Sequence, residues 1–214
     1  AARKFAFQLA SAGRTVISGL ARGIDTAAHE GAVAANGRTI GVLGSGLMQI
    51  YPPENLALAE KIADGHGAII SEFPLQTSPD RKTFPQRNRI VAHWSRALLV
   101  VECPSRSGSL ITANFALEAG RQIYAVPGPI DRPTSGGCHD LIREGAILVT
   151  DGSQILEDFS HLNFSTPKNS CTYQDLRIGE YCFCEAMKVD LAESEDKCKK
   201  NQTRVQKSKA LFQA

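Results

Sequence analysis

No stretch of the chain approaches the roughly 18 consecutive apolar residues that a membrane-spanning helix needs. Net charge is scarce as well: 24 Lys and Arg against 22 Asp and Glu leave +2. That is too little to draw a polyanion by bulk attraction, so any nucleic-acid site must come from where the charges are placed. The sequence has no G-x-x-x-x-G-K-[ST] phosphate loop and no G-x-S-x-G nucleophile elbow, which removes P-loop ATP hydrolysis and the common serine hydrolases. It also has no C-x-x-C pair, and His29, His66, His93, His139 and His161 are scattered without a partner at ligand spacing; no metal site is expected. Gly41, Gly44 and Gly46 superficially resemble a dinucleotide fingerprint, but their order is wrong and a long Tyr51-Pro52-Pro53 loop follows, so no nicotinamide cofactor is expected either. The six Cys form no disulfide framework in a chain of this size and are expected as reduced thiols. The first residues, Ala1 to Phe7, lack the apolar core and cleavage site of a secretion signal and include no initiator Met. The expectation is a cytoplasmic protein and a fragment of a longer chain.

What is present is an ordinary globular composition, 43% hydrophobic and 21% charged over 214 residues. The chemistry shifts near residue 160. Before it the basic residues are mostly Arg and Gly is frequent; after it they are mostly Lys, Gly179 stands alone, and Cys171, Cys182, Cys184 and Cys198 cluster. The expected organisation is one domain over 1–159 and a divergent tail over 160–214.

Within the first part, apolar runs of strand length recur at 15–17, 39–43, 68–70, 97–101, 123–126 and 146–149. Helix-length segments lie between them, closed by Gly13, Gly37, Gly65, Gly120 and Gly145, where a left-handed helix end favours glycine. Continuous rather than alternating apolar strands separated by helices predict an α/β fold: an open, doubly wound Rossmann-like domain with a mostly parallel sheet. The chain opens on a helix over 3–12 with no strand before it, so the first strand of such a sheet is expected to be missing.

Ligands of open α/β sheets bind beyond the carboxyl ends of the strands. The loop at Ser105-Arg106-Ser107-Gly108-Ser109 precedes a helix, and free N–H groups with Gly and hydroxyls nearby form a ready anion site; the plainer reading is a Ser N-cap. From Phe73 to Ser109 there are six basic residues, Arg81, Lys82, Arg87, Arg89, Arg96 and Arg106, against Asp80 and Glu102. Arg87 and Arg89 flank Asn88 near an expected first helical turn, where the dipole disfavours a cation that has no anion to meet. The alternative for each is a pair with Glu72 or Glu102. Arg22, between Gly19 and Gly23, lets backbone amides and a guanidinium converge on one phosphate, while Asp25 is expected to cap the next helix.

Together these segments resemble the DNA-processing protein A family (DprA, also called Smf). The resemblance rests on Ser18-Gly19-Leu20-Ala21-Arg22-Gly23-Ile24-Asp25 with His29, on Gly37-Arg38-Thr39-Ile40 and on Tyr51-Pro52. It continues through Ser71-Glu72, Phe84-Pro85 with Arg87-Asn88-Arg89, Ser107-Gly108-Ser109 with Thr112-Ala113, Pro127-Gly128, and Leu141-Ile142 with Gly145-Ala146. It implies a Rossmann-like domain that binds and protects incoming single-stranded DNA without cleaving it, dimerises, and loads the RecA recombinase during natural transformation. By motif, the implied DNA contacts are Arg22, Gly23, Arg87, Arg89, Ser107, Gly108, Ser109 and the Gly137-Cys138-His139 turn, with His139 standing where the family often has Asn. The tail does not resemble the winged-helix domain that many members carry. A rival reading is a nucleotide or nucleoside-phosphate hydrolase on a related fold, with Ser107-Gly108-Ser109 on the phosphate and Glu72 or Glu102 as general base.

Overall fold

A computed structural model of the chain describes residues 1–160. The expected tail thus lies outside the described residues, apart from Ser160. In chain order the elements are α1 (Ala2–Ser11), β1 (Val16–Ser18), α2 (Ile24–Ala34), β2 (Thr39–Val42), α3 (Leu56–Lys61), β3 (Gly67–Ile70), α4 (Thr83–Trp94), β4 (Ala97–Val100), α5 (Gly108–Glu118), β5 (Gln122–Ala125), α6 (Gly136–Arg143), β6 (Ile147–Leu148) and α7 (Gly152–Asp158). The α/β alternation and the parallel pairing follow the sequence reading. Strand and helix take turns because continuous apolar runs, such as Ala97 to Val100, are bounded by turn residues and followed by helix-forming segments.

The strands form two three-stranded parallel sheets, ordered β1-β2-β3 and β4-β5-β6. In the first, Ile17 lies opposite Ile40 and Ile40 opposite Ala68; in the second, Leu99 lies opposite Tyr124 and Tyr124 opposite Ile147. The six apolar runs predict buried strands, but β1 and β3 are only partly covered, β4 is buried only at Val100, and β6 is exposed.

Each sheet has its own core. Leu20, Val33, Leu43, Ala59 and Ile62 pack together on the first. On the second, Val100, Ile123 and Ala125 meet Ala92 of α4, Ala113 and Ala116 of α5, and Cys138 and Leu141 of α6. Two helices join the halves. Phe5 of α1, 3% exposed, packs with Tyr124, Val149 and Ile155, while the rest of α1 lies along α2. Burying that one ring contributes about 1.5–3 kcal/mol. The other joining helix, α4, touches β1 and β2 on one side and α5 on the other.

Helix ends mostly follow the glycine pattern: Gly13, Gly65, Gly120 and Gly145 all have positive φ. Gly37 does not. The left-handed residue there is Asn36 (φ 51°), a residue whose short side chain tolerates that region. Position 37 needs glycine for another reason, since a Cβ would fall 2.6 Å from Ala10 Cβ of α1. Cys103 and Cys138 are free and buried, as expected of reduced thiols; the other four lie outside the described residues.

Candidate nucleic-acid interface

The loops after β1, β2 and β3 interlock at the carboxyl end of the first sheet. The Asp25 carboxylate accepts from the backbone N–H of Gly19 (3.0 Å) and of Ala21 (3.2 Å), tying the β1 loop to the first turn of α2. It therefore latches the loop instead of capping the helix, whose N-cap is Gly23 at φ 84°. Asn55 supports the same loop from below, donating to Leu20 O and to Thr26 Oγ1, both at 2.8 Å. Ser71 donates to Ser45 O at 2.6 Å, and the backbone of Gly46 and Met48 bonds to Thr77 and Leu75, which joins the β2 and β3 loops.

Arg22 stands on the β1 loop and is exposed. Its Nε and Nη2 donate to the two oxygens of the Glu54 carboxylate, and its Nη1 donates to the Tyr51 hydroxyl at 3.0 Å. The guanidinium lies 5.3 Å from the centre of the Tyr51 ring. The paired carboxylate raises the Arg22 pKa, and the same bond holds Glu54 below its ordinary value. Tyr51 in turn faces Phe84 at 6.0 Å between ring centres, and Arg87 sits 6.0 Å from the Phe84 ring. Two aromatic rings thus stand between an exposed and a buried guanidinium.

Arg87 is the inner end of that row. It is only 4% exposed, and its Nη1 donates to Gly19 O at 2.6 Å and to Val42 O, while its Nε donates to Asn88 Oδ1. Burial pushes its pKa down and the nearby Asp25 carboxylate pulls it back up. The helix begins at Thr83, so Arg87 lies in its second turn, not near the first as the sequence suggested, and its charge meets the carbonyl ends of β1 and β2. Arg89, two residues on, is exposed and paired with Glu72 just after β3. The carboxylate that a hydrolase reading would use as a base at 72 is engaged there.

Beneath the β1 loop His29 is fully buried. Thr39 donates its hydroxyl proton to Val16 O at 2.8 Å, so at the 2.6 Å contact between His29 Nδ1 and Thr39 Oγ1 the imidazole carries the proton. Nε2 is then a bare acceptor with no partner. Desolvation lowers the His29 pKa to about 4; Asp25 opposes that shift and Arg87 adds to it.

The second sheet contributes the start of α5. Ser107 is its N-cap, accepting from Ser109 N–H at 3.1 Å, so the plain capping role is real and falls to Ser107. A Cβ on Gly108 would meet nothing within 4 Å, so this backbone faces open space. Gly137, Cys138 and His139 lie inside α6, not in a turn, and His139 Nε2 lies 2.9 Å from Gly128 O. Asn88 connects the two halves, donating from α4 to Gly108 O at 3.5 Å. The structure therefore brings Arg22, Gly23, Arg87 and Arg89 to one loop edge and Ser107, Gly108, Ser109 and His139 to the other, with Asn88 between them.

Sequence reasoning passed over Glu54 as a partner for Arg22, since 32 residues separate them and nothing local marks the pairing. It also left Arg87 facing outward, although that position precedes Val91 by one helical turn on the buried stripe of α4. No group of three or more His, Cys, Asp or Glu among the described residues is arranged to hold a metal ion. No helix among them is long and apolar enough to cross a membrane.

Residues 1–160 match the family model described as DNA recombination-mediator protein A. The chain is 49% identical over 171 residues to protein Smf of Escherichia coli (strain K12), covering 78% of this chain and 46% of that protein. It is 47% identical over 144 residues to the DNA processing protein DprA of Streptococcus pneumoniae, covering 67% and 51%. It spans about half the length of these curated relatives. Among solved structures, it resembles DNA processing protein A from Streptococcus pneumoniae with a TM-score of 0.69 and 42% identity, over 77% of this chain and 56% of that one. It also resembles the Helicobacter pylori protein, whose structure is described as giving insight into a unique single-stranded DNA binding mode. There the TM-score is 0.67 and the identity 26%, over 75% and 72% of the two chains.

Proposed function

Because this chain belongs to the DNA recombination-mediator protein A family, we propose that it binds single-stranded DNA along the loop edge of its two sheets, without cleaving it. The observation that carries this reading is the placement of charge. The exposed guanidinium groups of Arg22 and Arg89 and the Ser107-capped start of α5 lie at the carboxyl ends of parallel strands, around loops that are cross-braced by side chains and backbone.

In this reading Arg22 and Arg89 take backbone phosphates, and Gly108 and Ser109 offer the N-terminal amides of α5 to another. Gly23 supplies the turn that presents Arg22. Arg87 and His139 act from beneath, fixing the β1 loop and the Gly128 segment. Phosphate contacts of this kind position a strand without reading its sequence, so binding should tolerate any base and depend strongly on salt. The family premise extends the proposal to a cytoplasmic homodimer that protects incoming DNA and hands it to RecA in natural transformation.

Titration with fluorescent oligo-dT and with a duplex of equal length, at several salt concentrations, tests the first step. The expected result is preference for the single strand and a steep fall of affinity with salt. Arg22→Ala should weaken binding to all sequences alike, as the loss of one phosphate contact does. Equal affinity for both forms, or an affinity that Arg22→Ala leaves unchanged, would count against it.

A further inference from the structure

Arg22 and Arg89, two exposed arginines of the loop edge, are each already occupied by an acid. Arg22 and Glu54 come from the β1 and β2 loops, their side chains are 58% and 53% exposed, and the contact is two-pronged, from Nε and Nη2 to the two carboxylate oxygens. Arg89 and Glu72 form a second such pair from α4 and the β3 loop, through Nη2 and one carboxylate oxygen. A carboxylate offers the guanidinium fork the same planar pair of anionic oxygens that a phosphodiester does. Tyr51 holds the remaining prong of Arg22 at 3.0 Å and backs it with its ring, so the fork stays aimed when its anion changes.

Building on the single-stranded DNA reading above, we infer that Glu54 and Glu72 are internal stand-ins for DNA phosphate, which must be exchanged for the strand at Arg22 and Arg89 and which thereby set its affinity and salt dependence. The exchange breaks one ion pair to make another, so each arginine gives only the difference between the two. A lone phosphate gains little by it. A strand that presents several phosphates at once displaces both acids together and adds the amides of α5, so the stand-ins favour a polymer over isolated anions. The acids also alter the counterion count. A free arginine meeting a phosphate releases a cation from the DNA, whereas here the carboxylate set free takes one up, and the two cancel.

The consequence is measurable in the whole chain. Glu54→Gln should tighten oligo-dT binding about two- to fivefold at low salt, the range expected for releasing an exposed ion pair, and should steepen the salt slope by about 0.7. In an Arg22→Ala background the same substitution should change neither quantity. Glu72→Gln should behave alike and lose its effect in Arg89→Ala. The side chains of Arg22 and Glu54 are largely exposed, and circular dichroism checks that each variant keeps its fold.

An equal tightening in the presence and absence of Arg22 would mean that Glu54 acts only through the long-range field, and would overturn the inference while leaving the DNA-binding reading in place. Weaker binding by Glu54→Gln would overturn it too, since the acid would then be supporting the bound geometry. No single-stranded DNA binding by the wild type or any variant would instead remove the reading on which it rests.

Discussion

Arg87 and Gly19 occupy each other's space: a Cβ at position 19 would lie 2.4 Å from Arg87 Nη2, and Arg87 Nη1 donates to Gly19 O at 2.6 Å. The contact explains how a buried cation is tolerated. Its charge is spread over carbonyls at the ends of β1 and β2, and only a residue without a side chain lets the backbone approach so closely.

Removing either partner should therefore destabilise the first sheet. Arg87→Ala leaves two carbonyls without their donor and a cavity beneath the loop, a loss of about 2–4 kcal/mol. Gly19→Ala displaces a hydrogen-bonded, buried guanidinium and should cost about 1–3 kcal/mol. Denaturant unfolding followed by circular dichroism measures both. If Arg87→Ala unfolds at the wild-type midpoint, the guanidinium is no structural strut.

The buried imidazole of His29 predicts a pH dependence with a definite sign. Its folded pKa, about 4, lies below the ordinary histidine value near 6.5, so between these the unfolded chain binds a proton that the folded one does not. The stability it contributes is whole above pH 6.5 and lost as pH falls toward 4, on the order of 3 kcal/mol in all. His29→Asn can keep a donor toward Thr39 without the titration. Unfolding free energies measured from pH 7 to pH 4.5 should fall less steeply in this variant; parallel curves would show that another group dominates.

Much of the architecture could be read from the chain. The runs at Ala97 to Val100 and Gln122 to Ala125 are strands because a parallel strand is buried on both faces, and Gly13 and Gly120 stop helices because a left-handed residue must follow them. The site was less legible, for a physical reason. Whether an arginine faces water or carbonyls depends on residues distant in sequence: Gly19 for Arg87, Glu54 for Arg22, Glu72 for Arg89. Helical periodicity alone points to Arg87, since it falls in line with Val91 on α4. No local pattern points to Glu54. The division into two sheets escaped notice because a strand run looks the same with one neighbour or two.

A third expectation concerns the junction of α1 and α7. The Asp151 carboxylate caps α7 through Ser153 N–H and also receives Lys4 Nζ at 2.8 Å and Gln8 Nε2 at 3.0 Å from α1. The bond from Lys4, then that from Gln8, hold its pKa well below the usual carboxylate range, so its contribution is complete above the ordinary Asp value and disappears as acid approaches the lowered one. Asp151→Ala should lower Tm by several degrees at neutral pH and by less at pH 3. A variant that melts like the wild type at pH 7 would show that Phe5 and its apolar neighbours hold α1 unaided.

The absence of any strand pairing between β1 and β4 has a consequence for how the binding edge can vary. Ladder hydrogen bonds come at fixed intervals, so adjoining strands can shift only by whole residues, and a slip by one turns every side chain over. The Arg22 loop and the Ser107 loop are under no such quantisation. Their separation is graded by the bulk of the side chains on α1 and α4, Phe5 and Ala92 among them. Substitutions at those positions can retune the spacing between the two anion-facing loops by fractions of a residue without breaking a backbone bond, which gives this architecture a continuous adjustment that a single closed sheet would deny it.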